Sequence, residues 1–191
     1  MSNLYFENKT FEKINSAEKP LENGEYENCK FLNCDFSQAD LSEFIFIDCE
    51  FIGCNFSLST VTKTAFRDIL FKECNLLGVH FDECNTFGLS VEFNNCRLNQ
   101  ASFYQLKIKK TRFTECQLTE TDFAETDLSN SIFDKCDANG AIFDYSNLEK
   151  VDFRTTFNYS IDPETNNIHH AKFSRSGIAG LLNKYNIEIT E

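Results

Sequence analysis

Nine cysteines, three histidines and a dense set of carboxylates are the groups with which this 191-residue chain could do chemistry. The cysteines pair locally as Cys29/Cys34 and Cys49/Cys54, a C-x4-C spacing unlike the C-x2-C of structural zinc sites. His80 stands alone, and His169 and His170 follow a segment containing Asp162-Pro163; three imidazoles are too few for extended acid–base chemistry. No Gly-rich phosphate loop, HExxH or GxSxG motif occurs. The pattern predicts no enzyme, no cofactor and no metal site, with the histidines solvated.

The carboxylates say more. Between Phe113 and Phe153 stand Glu115, Glu120, Asp122, Glu125, Asp127, Asp134, Asp137, Asp144, Glu149 and Asp152, opposed only by Lys135 and Lys150. A basic run, Lys107, Lys109, Lys110 and Arg112, comes just before them. The formal net charge of -12 argues against direct nucleic-acid binding, whose electrostatic footprint is basic. Two readings remain: a solvated surface that resists aggregation, or a surface for a partner with a basic groove. On the second reading Glu115, Glu120, Asp122, Glu125, Asp127, Asp134, Asp137 and Asp144 form the candidate partner-binding face.

What positions these groups is a repeat. The chain has 21 Phe but no Trp, one Met, two Pro and seven Gly, a bias that points to one structural role filled many times. A large apolar residue recurs every five positions from Phe31 to Phe81, and the pattern resumes two residues late from Phe93 to Phe153. Two positions before each stands a generally smaller residue, and the remaining three are mostly polar. A period of five fits neither an amphipathic helix nor a long strand. It fits a chain that runs straight for about two residues and then turns, with the large and small residues both inward. Asn and Asp suit the corners because their side chains satisfy turn backbone groups.

Segments such as Cys34-Asp35-Phe36-Ser37, Ala39-Asp40-Leu41-Ser42 and Thr126-Asp127-Leu128-Ser129 resemble the A(D/N)Lxx unit of pentapeptide-repeat proteins. The resemblance covers residues 24–155. It implies an all-β fold, a right-handed quadrilateral β-helix with four units and twenty residues per coil. With the two extra residues placed as a bulge near 85–91, one side stacks Phe31, Phe51, Phe71, Phe93, Phe113, Phe133 and Phe153, extending to Phe11 and Phe173. Another stacks Cys34, Cys54, Cys74, Cys96, Cys116 and Cys136. Neighbouring cysteines then lie one coil apart with parallel Cβ vectors, farther than the roughly 3.5–4.5 Å between Cβ atoms that a disulfide needs. They read as reduced, buried small filler.

Residues 1–23 read as an N-terminal cap, 24–155 as the solenoid and 156–191 as a loop, helix and short strand. No apolar h-region or 18-residue apolar run occurs, so the expected location is the cytoplasm, without membrane contact. Ser176 is expected to cap a helix through Tyr185, placing Ile178, Leu181, Leu182 and Tyr185 on one face, followed by Ile187 and Ile189 alternating as a strand. This segment either plugs the solenoid or joins two copies. The resemblance implies the second role, since gyrase-protecting members of the Qnr and MfpA kind pair end to end through such a module. It likewise implies a non-catalytic DNA mimic for DNA gyrase or topoisomerase IV, connected with quinolone resistance; the competing expectation is a structural or adaptor solenoid with an unrelated protein partner.

Overall fold

The computed structural model describes residues 4–188 and 190. The chain winds as a four-sided coil. It begins as β1 (Leu4–Glu7) on the first side and β2 (Thr10–Glu12) on the second. The first side continues through β3 (Gly24–Glu27), β5 (Ile45–Ile47) and β7 (Ala65–Arg67), alternating along the chain with second-side strands β4 (Lys30–Leu32), β6 (Glu50–Ile52) and β8 (Ile69–Lys72). Beyond these, β9 (Val91–Asn94), β10 (Arg112–Thr114) and β11 (Ile132–Asp134) extend the second side. All strand pairs are parallel. The third and fourth sides are held by single bridges, such as Asp35 to Asn55 and Ser102 to Asp122.

Each large inward residue stacks on its counterpart one coil away. On the second side the ring centroids of Phe31 and Phe51 are 4.6 Å apart, those of Phe93 and Phe113 5.2 Å, and those of Phe113 and Phe133 4.6 Å. A second column, Phe81, Phe103, Phe123 and Phe143, rises on the fourth side. The columns meet edge to face, with Phe113 and Phe123 at 5.7 Å and 85°. The coil therefore has a solid aromatic core, and both preferred ring geometries operate in it.

The small inward position does more than leave room. Cys54 Sγ donates to the Phe31 carbonyl at 3.3 Å and Cys74 Sγ to that of Phe51 at 3.2 Å. Thr64, Thr121 and Thr126 make the equivalent bond through Oγ1. Cys, Ser and Thr at this position thus tie one coil to the previous one. All nine cysteines are buried, and burial pushes the Cys49 and Cys84 thiols up to about 12, which keeps them protonated and unreactive.

Most corners share one conformation irrespective of residue type. Asn28, Asn33, Gln38 and Glu43 all lie in the left-handed region, at φ 51° to 65°. Such a φ costs about 1–2 kcal/mol at a residue other than glycine. It is offset because the turned N–H reaches the next coil: Gln38 N donates to the Ser57 carbonyl at 2.9 Å, and Glu43 N to that of Thr62 at 3.0 Å. Where Asp or Asn stands at the outward position ahead of a corner, its side chain can accept from the amide two residues on. Asp40 to Ser42 (2.9 Å), Asp122 to Ala124 (2.8 Å) and Asp127 to Ser129 (3.1 Å) are examples. This is the physical content of the D/N in the repeat unit.

Register changes once. Ala65 bridges Asn85, twenty residues on, whereas Phe71 lies opposite Phe93, twenty-two on. The excess is absorbed before β9 in a loop held by Asn85 Oδ1 accepting from Phe87 N (3.0 Å) and by Ser90 N donating to the Phe66 carbonyl (3.0 Å). Phe87 projects from it.

The C-terminal segment departs from the expected helix. It forms two 3-10 turns, Ile178–Leu181 and Asn183–Tyr185; the first starts from Gly177 without a side-chain cap from Ser176, and Ser174 Oγ accepts from Gly177 N at 3.0 Å. Gly177 and Gly180 weaken an α-helix. They are glycines because the segment lies against Tyr159; a Cβ on Gly180 would stand 2.4 Å from the Tyr159 carbonyl oxygen. Ile161 N donates to the Gly180 carbonyl, pinning the turn onto the last coil. Ile187 belongs to no strand, and Ile189 lies outside the described residues.

Candidate protein-binding surface

Because five residues advance the chain by one side, carboxylates spaced by five fall on successive corners. Glu115 sits at the corner after the second side, Glu120 after the third and Glu125 after the fourth. All three have a left-handed φ. Asp122 occupies the fourth side, Asp127 the first and Asp137 the third, as their bridges to Ser102, Lys107 and Gln117 show. Asp134 follows Phe133 on the second side and Asp144 follows Phe143 on the fourth. The eight sequence-predicted acids therefore encircle the rod, and no single side gathers them.

Several are engaged. Glu115 pairs with Lys135 at 3.1 Å, Asp127 with Lys109 at 3.0 Å, and Asp134 accepts from Thr155 at 2.8 Å. Glu120 accepts from Gln100, and Glu125 from Tyr104 and Gln105. None of the eight is buried.

One side does collect negative charge along most of its length. The fourth side and its flanking corners carry Glu120, Asp122, Glu125 and Asp144, and also Asp40, Glu43, Asp82 and Glu83 from the proximal half. Lys63 stands among them, 3.9 Å from Glu43, and the His80 imidazole contacts Asp82. The proximal four escape a sequence reading that counts charge along the chain; assigning each residue its place within the twenty-residue coil finds them. The corner between the first and second sides is closer to balance, where Arg67, Lys109, Lys110 and Lys150 project beside Glu7, Glu27, Asp48, Asp68 and Glu149. The fourth side is thus the more acidic part of the rod's section.

The residues named as a pairing surface divide. Leu181 packs on the core and Leu182 is half-buried, while Ile178, Tyr185 and Ile187 are about half exposed. Lys184 holds this segment down, with Nζ 2.7 Å from both Asp162 and Glu164, and the Tyr185 hydroxyl donates to Glu164 at 2.9 Å. The Lys184 ammonium keeps both carboxyl groups below their usual range. Groups with depressed folded-state values stabilise above their unfolded values and lose that contribution as pH falls through the folded ones. Acidification below about pH 4 is therefore expected to loosen residues 178–185 before the solenoid unfolds. Faster amide exchange at Leu182 and Tyr185, with Phe113 still protected, would show it; uniform exchange would contradict it.

Among the described residues no group of His, Cys, Asp and Glu is arranged to hold a metal ion, and no helix is long and apolar enough to cross a membrane. The rings of His169 and His170 stack on each other at 3.8 Å.

A family model described as a pentapeptide repeat region matches residues 24–103, 89–157 and 106–181. No curated protein matches the chain in sequence. Among solved structures it is similar to a trypsin-treated variant of QnrB1, a plasmid-mediated fluoroquinolone resistance protein, at 20% identity over 98% of each chain and a TM-score of 0.48. It is also similar to HetL, a protein involved in heterocyst differentiation regulation from the cyanobacterium Nostoc sp. strain PCC 7120. There the identity is 12%, over 90% of this chain and 85% of the other, with a TM-score of 0.37.

Proposed function

Since the chain belongs to the pentapeptide-repeat family, we propose that it is a non-catalytic rod whose acidic fourth side occupies a basic, DNA-receiving groove of a protein partner in the cytoplasm, a type II topoisomerase such as DNA gyrase being the first candidate. The observation that carries this reading is the alignment of Asp40, Glu43, Asp82, Glu83, Glu120, Asp122, Glu125 and Asp144 along one side of a straight support. Duplex DNA also presents closely spaced negative charge along a rod. Rigid spacing matters here, because carboxylates fixed to a stacked coil lose little freedom when a partner engages them. Pairing of two copies through Ile178, Tyr185 and Ile187 at the C-terminal end would lengthen the charged surface.

The test is gyrase supercoiling at increasing protein concentration, with and without a quinolone. Inhibition of supercoiling or reduced drug-induced cleavage is expected. Binding should weaken steeply as salt rises, because the attraction is between exposed charges. If a large excess changes neither activity nor cleavage, the topoisomerase reading fails and the chain is an adaptor for another protein.

A further inference from the structure

The two ends of the rod are finished differently. At the C-terminal end Phe173 stacks under Phe153, and the 3-10 turns lie across Tyr159. At the N-terminal end, among the described residues, the aromatic columns stop with one ring face covered: Phe6 rests on Tyr26 at 4.6 Å and Phe11 on Phe31 at 4.9 Å. Phe6, Phe11, Ile14, Leu21 and Tyr26 line a cup of about 470 Å³ at this end of the rod. β1 and β2 are the edge strands of their sheets, and on β1 Leu4 and Tyr5 are 47% and 52% exposed. Open main-chain edges beside uncovered apolar rings are a template for further pairing, and solenoids need such ends covered.

We propose that a second copy of this chain covers this cup, the two rods meeting head to head about a two-fold axis. Two observations select that occupant. The first is charge. Residues 4–23 carry Glu7, Glu12, Glu18 and Glu22 against Lys9, Lys13 and Lys19, so like ends approach with little repulsion, whereas the rest of a chain of net charge -12 repels its own kind. The second is direction. Head-to-tail stacking would require an open C-terminal end, and there the 3-10 turns cover Tyr159. A two-fold axis across the rod instead sets edge strands antiparallel, a pairing that hydrogen-bonds at least as well as the parallel ladder within the coil. Phe6 and Phe11 then gain an apolar surface on their uncovered faces.

This surface is independent of the topoisomerase reading, and the experiment separates it from C-terminal pairing. Full-length chain carrying Ile178→Glu and Ile187→Glu, which disable the C-terminal end, is expected to sediment as a dimer at micromolar concentration. Adding Leu4→Lys and Tyr5→Lys should halve the sedimenting mass while far-UV circular dichroism stays unchanged, since both side chains are about half exposed in the protomer. In the same C-terminally disabled background, Tyr5→Cys alone should cross-link under mild oxidation, because the nine native thiols are buried and stay silent. A monomer in that background, a dimer indifferent to Leu4→Lys and Tyr5→Lys, or no cross-link at Tyr5→Cys overturns the proposal.

Discussion

Phe113→Ala is expected to lower the stability of the protein by about 3–5 kcal/mol, the range for removing a fully buried phenyl ring. Phe113 is 0% exposed and lies between Phe93 and Phe133, with Phe103 and Phe123 meeting it edge-on. The cavity cannot collapse readily, because neighbouring coils are fixed by their bridges above and below. A second consequence follows from the one-dimensional contact pattern: a weakened middle coil divides the cooperative unit. Denaturant unfolding should broaden or split, with the proximal coils persisting longer than the distal ones or the reverse. Phe11→Ala, which within the protomer is stacked on one side only, is the control; made in the Leu4→Lys, Tyr5→Lys background, it should cost less than half as much. A loss below about 1 kcal/mol for Phe113→Ala would mean that the column is not a continuous support.

Reversal of Glu120, Asp122, Glu125 and Asp144 to Lys is expected to weaken binding to the basic partner by at least about 100-fold, or ~3 kcal/mol. The control has the same charge change elsewhere on the rod, at Glu115, Asp134, Asp137 and Glu149, and should weaken it far less. Both variants should fold, since the reversed side chains lie outside the core. Titration by fluorescence anisotropy or calorimetry at fixed ionic strength distinguishes them. Equal losses would indicate that net charge alone drives association and that the fourth side has no special role.

Much of this fold is legible in the sequence because the repeat writes one residue type into one place. Phe at every twentieth residue, with one step of twenty-two, locates the columns, and cysteine at the small position locates a second set. The left-handed corners are less visible. Glu43, Lys63, Gln100 and Glu125 occupy a φ that composition assigns to Gly or Asn, and inter-coil amide bonds rather than residue preference hold them there. The donor role of the cysteines is hidden because a thiol and a methyl group look alike as filler. The acidic face is misread linearly: Glu115, Glu120 and Glu125 are neighbours in sequence and point in different directions. In the C-terminal segment the spacing of Ile178, Leu181, Leu182 and Tyr185 suits a helix, while Gly177, Gly180 and the pin from Ile161 set 3-10 turns instead.

The loop at Asn85–Ser90 takes up two residues without turning anything that follows it, as the Phe71–Phe93 pairing shows. Insertions of other sizes would behave unlike this one. Adding five residues between two corners would swing every downstream side chain through a quarter turn, carrying the distal carboxylates off the side that holds the proximal ones. Removing twenty would shorten the rod by one layer, about 4.8 Å, and leave the compass bearing of each charge unchanged. Length is therefore free to drift in whole coils, whereas any surviving change of one unit would erase the stripe. Natural variants of this chain are expected to differ by multiples of twenty residues, or by small loops at corners, wherever the acidic side is used.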